Sequence, residues 1–173
     1  RFTMKTLQAH LVNYAAYHRD LRNIHTHFVG IPLIVLAVAV LLACVPLGLG
    51  LSALHPVLLG AMVFYLRLDW GLGALMALLM LLAGWAGTQL AALSWGGWLG
   101  LVLFVAGWVI QFVGHWYEGR KPAFVDDLVG LLVGPLFVVA EWLFLLGFYR
   151  DLQACIIEGA GPVRSVQKVA AGG

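Results

Sequence analysis

The sequence predicts an all-α integral membrane protein: a helical bundle of about four transmembrane helices, preceded by an amphipathic helix and followed by a kinked or re-entrant helical pair. Two observations carry that expectation. The 173 residues are 62% hydrophobic and only 10% charged, with apolar runs too long for a soluble core of this size. The basic residues sit beside those runs rather than in a patch or tail, which is how charge marks topology. The whole of 1–173 reads as one membrane domain, with an interfacial helix and break over 4–22, membrane helices over 23–148 and a C-terminal tail over 149–173.

The formal charge of +2 is too small to argue for a nucleic-acid partner. Cys44 and Cys155 cannot form a framework and lack metal-ligand spacing, so both read as free thiols. Lys5 to Asn23 has no short apolar core ending in a cleavage site, so no signal peptide is expected. Arg1–Phe2–Thr3, ahead of Met4, reads as an added remnant, and Ala170–Gly173 as a frayed end.

Met4 to His18 places Leu7, Leu11, Tyr14 and His18 near helical spacing, which predicts an amphipathic helix at the interface. Arg19–Asp20–Leu21–Arg22 is a polar break. Asn23 reads as the N-cap of the first long apolar helix, over Ile24 to Leu49. Further apolar stretches run over Leu54 to Leu68, Leu72 to Leu93 and Trp98 to Tyr117, separated by His55–Pro56, Asp69–Trp70–Gly71 and Ser94–Gly97. Trp70, Trp95 and Trp98 mark interfaces. The last stretch, Leu128 to Phe148, is interrupted by Gly134–Pro135 and contains Glu141, which predicts a kink or two half-helices. Lys5, Arg19, Arg22, Arg67, Arg120 and Lys121 fall on one side of such a bundle, the expected cytoplasmic side. Arg150, Arg164 and Lys168 join them if the last stretch re-enters.

This topology lets His18, His27 and His115 converge although nearly ninety residues separate the second from the third. Gln111, His115 and Glu118 share one helix face. His18 and His27 would point apart on one continuous helix, but the break at Arg19–Arg22 lets them fold towards a shared site. Three neutral imidazoles suit Fe(II) or Zn(II): zinc would favour hydrolysis, iron with open positions oxygen chemistry. Six histidines, with His55 on the opposite side, are too few for a many-His di-iron site, so one metal is the better fit. The plainer reading is that histidines at a membrane edge merely hydrogen-bond or meet headgroups. His10 and His25 are read as interfacial, with ligation the alternative. Tyr14 and Tyr17 are read as packing residues, Arg120 and Lys121 as topological anchors, and Glu141 as a paired interior group.

Tyr14-x-x-Tyr17-His18, Asn23-x-x-x-His27 and Pro32, then Gly107-Trp108-x-x-Gln111-Phe112-Val113-Gly114-His115, Glu118, Arg120, Pro122-Ala123 and Asp127-Leu128 together resemble the 2-hydroxy fatty acid dioxygenase family. These are small multi-pass membrane proteins of lipid alpha-oxidation, and the similarity runs from about Gln8 to Phe148. The resemblance implies Fe(II)-dependent cleavage of a 2-hydroxy fatty acid by molecular oxygen to the acid one carbon shorter, with no organic cofactor. It implies His18, His27 and His115 as metal ligands. Gln111 and Glu118 would then serve the chemistry, Arg120, Lys121 and Tyr14 would bind substrate, and Asn23 would orient a ligand from behind. One departure stands out: only Trp116 and Tyr117 separate His115 from Glu118, where the family usually has three residues. A 2-hydroxy acid would chelate the iron through carboxylate and hydroxyl while its tail stays among apolar helices and membrane lipid. The expected setting is a bacterial inner membrane, or the endoplasmic reticulum of a eukaryote, with the active site facing the cytoplasm. Against this stand a zinc-dependent membrane lipid hydrolase and a non-enzymatic carrier or assembly protein; the absence of a convincing internal repeat weighs against a transporter.

Overall fold

The computed structural model describes residues 6–126 and 128–165. The readings placed on Arg1–Lys5, Asp127, Lys168 and Ala170–Gly173 lie outside them. In chain order the elements are α1 (Leu7–Ala15), α2 (Leu21–Ala43), a hairpin of β1 (Pro46–Gly48) and β2 (Leu51–Ser52), α3 (Leu54–Leu68), α4 (Trp70–Ala91), α5 (Gly96–Glu118), a 3-10 turn at Ala123–Val125, α6 (Gly130–Leu145) and α7 (Arg150–Ala160).

The protein is an integral membrane helical bundle. α2, α4 and α5 have 23, 22 and 23 residues and are apolar enough to cross a bilayer, which takes about 20 residues. Between 22% and 33% of each helix's most apolar window is buried by protein, so most of that surface needs lipid to cover it. α3, at 15 residues, is shorter than these three. α6 and α7 form a bent pair with an angle of 118°.

Four local expectations shift. The first long helix stops at Ala43 rather than Leu49, because Pro46 cannot donate to a helix and disfavours helical backbone before it; the chain turns into the hairpin instead. Asn23 is not the cap of that helix. Asp20 stands there, its carboxylate accepting from the Arg22 backbone N–H at 2.9 Å, and Asn23 lies inside the first turn. The bend of the C-terminal pair falls after Leu145, not at Gly134–Pro135. Pro135 lies inside α6 and leaves the Leu131 carbonyl without its in-helix donor, yet the helix runs on to Leu145; beyond it the chain leaves the helix and reaches Tyr149 at φ 53°. The expected tail begins with α7, whose Leu152 and Ile156, one turn apart, are buried.

The contacts divide the chain into two compact units, Pro32–Val109 and the described residues of Arg1–Ile31 with Ile110–Gly173. Within Pro32–Val109, α3 and α4 form a tight pair around Asp69, whose N–H continues α3 to Tyr65 O (3.2 Å) while its carboxylate caps α4 at Leu72 N (2.7 Å). Small residues let helices approach: a Cβ on Gly87 of α4 would sit 2.8 Å from the Ala39 carbonyl carbon of α2. In the other unit, α1 packs on α6 and α7 and buries Leu11, Tyr14 and Ala15.

Replacing Gly87 by Ala should therefore force two backbones apart and destabilise the detergent-solubilised protein by about 1–3 kcal/mol. Gly97→Ala, where a Cβ meets nothing within 4 Å, should leave the thermal midpoint unchanged or raised. Equal shifts in the two variants would contradict the packing argument.

Candidate metal centre

An apolar chain should hide few polar groups, so the ones it hides are informative. Among the described residues the buried polar and charged side chains are His18, Arg19, Asp20, Asn23, His27, Gln111, His115 and Glu118. All lie in one unit, on the α1–α2 connection, the first turns of α2 and the last turns of α5.

His18, His27 and His115 converge. One ring nitrogen from each lies within 4.8 Å of the others, and the ring centroids are 4.4 Å (His18–His27), 4.9 Å (His18–His115) and 5.2 Å (His27–His115) apart. Two of the rings are fixed from behind. His18 Nδ1–H donates to Tyr14 O at 2.7 Å and His27 Nδ1–H to Asn23 O at 2.8 Å, each four residues back, which leaves Nε2 as the lone-pair nitrogen. Tyr14 stacks on His18 with centroids 4.2 Å apart and planes 8° apart, and Phe137 lies 5.5 Å from the same ring. Burial, then the neighbouring His27, pushes His18 well below the usual imidazole range, so it stays neutral and able to ligate.

These residues fit a transition-metal ion. His18 Nε2 and His115 Nδ1 are buried without a hydrogen-bond partner among the described residues, a costly arrangement for neutral imidazoles unless something binds them. Metal–imidazole bonds of about 2.0–2.1 Å need nitrogens roughly 3–3.5 Å apart, a spacing inside the 4.8 Å limit that encloses the three ligand atoms.

Glu118 does not join the three nitrogens. Its Oε2 accepts from the Asp20 N–H (2.7 Å) and from Asn23 Nδ2–H (3.1 Å), and its Oε1 from the Arg164 guanidinium (2.5 Å). Asn23 thus orients His27 through its carbonyl while its amide holds Glu118. Gln111 is buried one turn before His115, and its amide nitrogen has no hydrogen-bond partner among the described residues. His10 and His25 stand apart from the trio: His25 is exposed beside Phe28, and His10 lines a cavity of about 300 Å³ with Asn13, Tyr14, Ala16, Tyr17, Ala123, Asp126, Gly130 and Val133. Arg120 and Lys121 are exposed near that cavity. Arg120 donates to Ala16 O at 2.9 Å, and Lys121 pairs with Asp126 at 2.5 Å, which also accepts from the Tyr17 hydroxyl at 2.8 Å. Lys121 first, then Tyr17, holds the Asp126 carboxyl below its usual range.

The sequence reading quoted Gly114 only within the family stretch and Arg164 only as a topological charge, and gave neither a role in the site. A Cβ on Gly114 would fall 2.5 Å from Asn23 Oδ1 and 3.2 Å from Thr26 Cβ, so this glycine lets α5 lie against α2 where His27 and His115 must meet. The small residue next to His115 in the Gln-Phe-Val-Gly-His stretch was the available signal.

A family model described as 2-hydroxy-palmitic acid dioxygenase Mpo1-like matches residues 4–146, which include all three histidines. The chain belongs to the Mpo1-like family. It is 35% identical over 155 residues to a protein of Saccharomyces cerevisiae named 2-hydroxy-palmitic acid dioxygenase MPO1, covering 87% of each chain. No solved structure matches it.

Gly114→Ala should cost about 1–3 kcal/mol of stability and loosen the approach of α2 to α5. Its expected signature is a lowered thermal midpoint that Thr26→Ser, which removes a methyl group from the crowded side chain, does not share. Unchanged stability of Gly114→Ala would mean that the close approach is not needed.

Proposed function

We propose that the chain is an Fe(II)-dependent dioxygenase that cleaves a 2-hydroxy fatty acid to the acid one carbon shorter, with His18, His27 and His115 holding the metal. The observation that carries this reading is the buried convergence of three neutral imidazoles in a chain whose yeast relative is named for that substrate and reaction class. The atoms balance with one dioxygen consumed and the carboxyl carbon leaving as carbon dioxide with one water. When bound, Fe(II) would supply oxygen activation and coordination positions for the substrate carboxylate and 2-hydroxyl.

The chain's own groups then have separable tasks. The Nδ1 bonds of His18 and His27 hold those two rings in one tautomer. Gln111, buried and with an unengaged amide nitrogen, would donate to a substrate oxygen. Glu118, with both oxygens occupied, serves the chemistry by fixing its neighbours. Tyr14 packs against His18 and lines the cavity; its phenol is pushed up by burial and so remains a donor. Arg120, which has no carboxylate partner among the described residues, would steer the substrate carboxylate, with Lys121 beside it. The apolar tail would lie along membrane helices, and the flanking Arg22, Arg120 and Lys121 support a cytoplasmic orientation.

Purified protein should hold about one transition-metal ion per chain, and His18→Ala, His27→Ala or His115→Ala should lose it without preventing membrane insertion. With Fe(II), 2-hydroxypalmitic acid should drive oxygen uptake, whereas palmitic acid and the 3-hydroxy isomer should react poorly because they cannot form the five-membered chelate. Gln111→Leu should keep the metal and lose on the order of 10²-fold in kcat. Equal turnover of hydroxylated and plain acids would remove the chelation mechanism; oxygen-independent turnover with zinc would favour hydrolysis instead.

A further inference from the structure

The segment after α7 lies beyond the part of the chain matched by the family model, yet it reaches the metal centre's support. Residues 161–164 run beside the α1–α2 connection. Arg164 N–H donates to Arg19 O (2.7 Å), Leu21 N–H donates to Arg164 O (3.1 Å), and Asp20 and Arg164 form a parallel bridge. One turn of chain earlier, Gly161 O accepts from the Arg19 guanidinium at 2.9 Å. These bonds grip the residues that directly follow His18.

The Arg164 side chain reaches further in. Its guanidinium, itself half-exposed, meets Glu118 Oε1 at 2.5 Å, where the Glu118 side chain is 1% exposed. The other Glu118 oxygen holds the Asp20 N–H and the Asn23 amide, and the Asn23 carbonyl holds His27 Nδ1–H. Glu118 stands three residues beyond His115 on α5. One carboxylate therefore links the three segments that carry the three histidines, and Arg164 is its cationic partner. Removing that cation would leave a buried carboxylate with neutral donors only, a situation that proteins relieve by rearranging or admitting water.

We propose that residues 161–164 are a strap over the three-histidine centre and that Arg164 is a positioning residue for it, acting through Glu118. This rests on the metal-binding reading above. The strap sets ring orientation rather than ligating, so its loss should weaken the site without removing a donor. Loss of comparable supporting contacts lowers metal affinity about 10–100-fold.

The test uses the full chain in detergent with Arg164→Ala and Arg164→Lys. Co(II), titrated as a coloured probe, should bind Arg164→Ala at least tenfold more weakly than the parent, with Arg164→Lys between them. In metal-free protein, histidine side-chain ¹⁵N shifts should report the Nδ1–H tautomer for His18 and His27 in the parent and averaged values in Arg164→Ala. Co(II) affinity and ¹⁵N shifts both at parental values would overturn the proposal, even if the variant melted earlier. If Arg164→Ala does not fold, the same two readings on Arg164→Lys decide. Should the parent bind no metal, the metal reading fails, and the ¹⁵N shifts still decide the strap.

Discussion

A carboxylate at 1% exposure in an apolar protein persists only if donors surround it, and Glu118 has three: a backbone N–H, an amide and a guanidinium. Each comes from a different part of the chain. The Asp20 N–H fixes the break between α1 and α2, the Asn23 amide fixes the first turn of α2, and Arg164 brings in the C-terminal segment. Because His115 is on the same helix as Glu118, satisfying this one group also sets where the imidazoles meet. The polar end of the bundle is thus specified by hydrogen bonding, while the apolar helices supply only the walls.

That division explains what the sequence reveals. Long apolar runs of about 20 residues read as membrane helices, so α4 and α5 are legible within two residues at each end and α2 apart from its C-terminal end, which Pro46 cuts short. The i, i+4 spacing of Gln111 and His115 and the break at Arg19–Arg22 make a shared site legible too. Cap and turn positions are less so. Asn23 has the chemistry of a cap, but Asp20 takes that place because its carboxylate reaches Arg22 both through the backbone and the side chain, and Asn23 is needed for Glu118. Gly134–Pro135 has the chemistry of a break, but both residues are buried within α6 and the helix continues through them to Leu145. Arg164 was legible only as a topological charge, since a single arginine in a polar tail carries no periodicity, and nothing in sequence separation joins it to Glu118.

The spare nitrogens of the site carry their own physical consequence. His18 Nε2, His115 Nδ1 and the Gln111 amide are buried without partners, and each such group costs about 1–3 kcal/mol if left so. A metal-free chain with these groups in place stores unfavourable energy that ligation and substrate binding would release. The aromatic packing of Tyr14 and Phe137 on His18 holds that ring in place against local collapse, which would preorganise it for a ligand.

Charge balance around the centre narrows the kind of molecule that suits it. Among the described residues, Asp20, Glu118 and Asp126 are paired with Arg22, Arg164 and Lys121, and Glu141 faces Arg19 at 3.9 Å, so each of these carboxylates has a cation beside it. The three imidazoles add no negative charge of their own. A divalent cation held by such a set would remain doubly positive, and its natural complement is an anionic headgroup rather than a neutral ester. The 2-hydroxy fatty acid proposed as substrate would meet that requirement while leaving its tail to the hydrocarbon. The same paired carboxylates would not repel it on approach, and the guanidinium of Arg120, engaged only by the Ala16 carbonyl among the described residues, adds attraction where the chain enters.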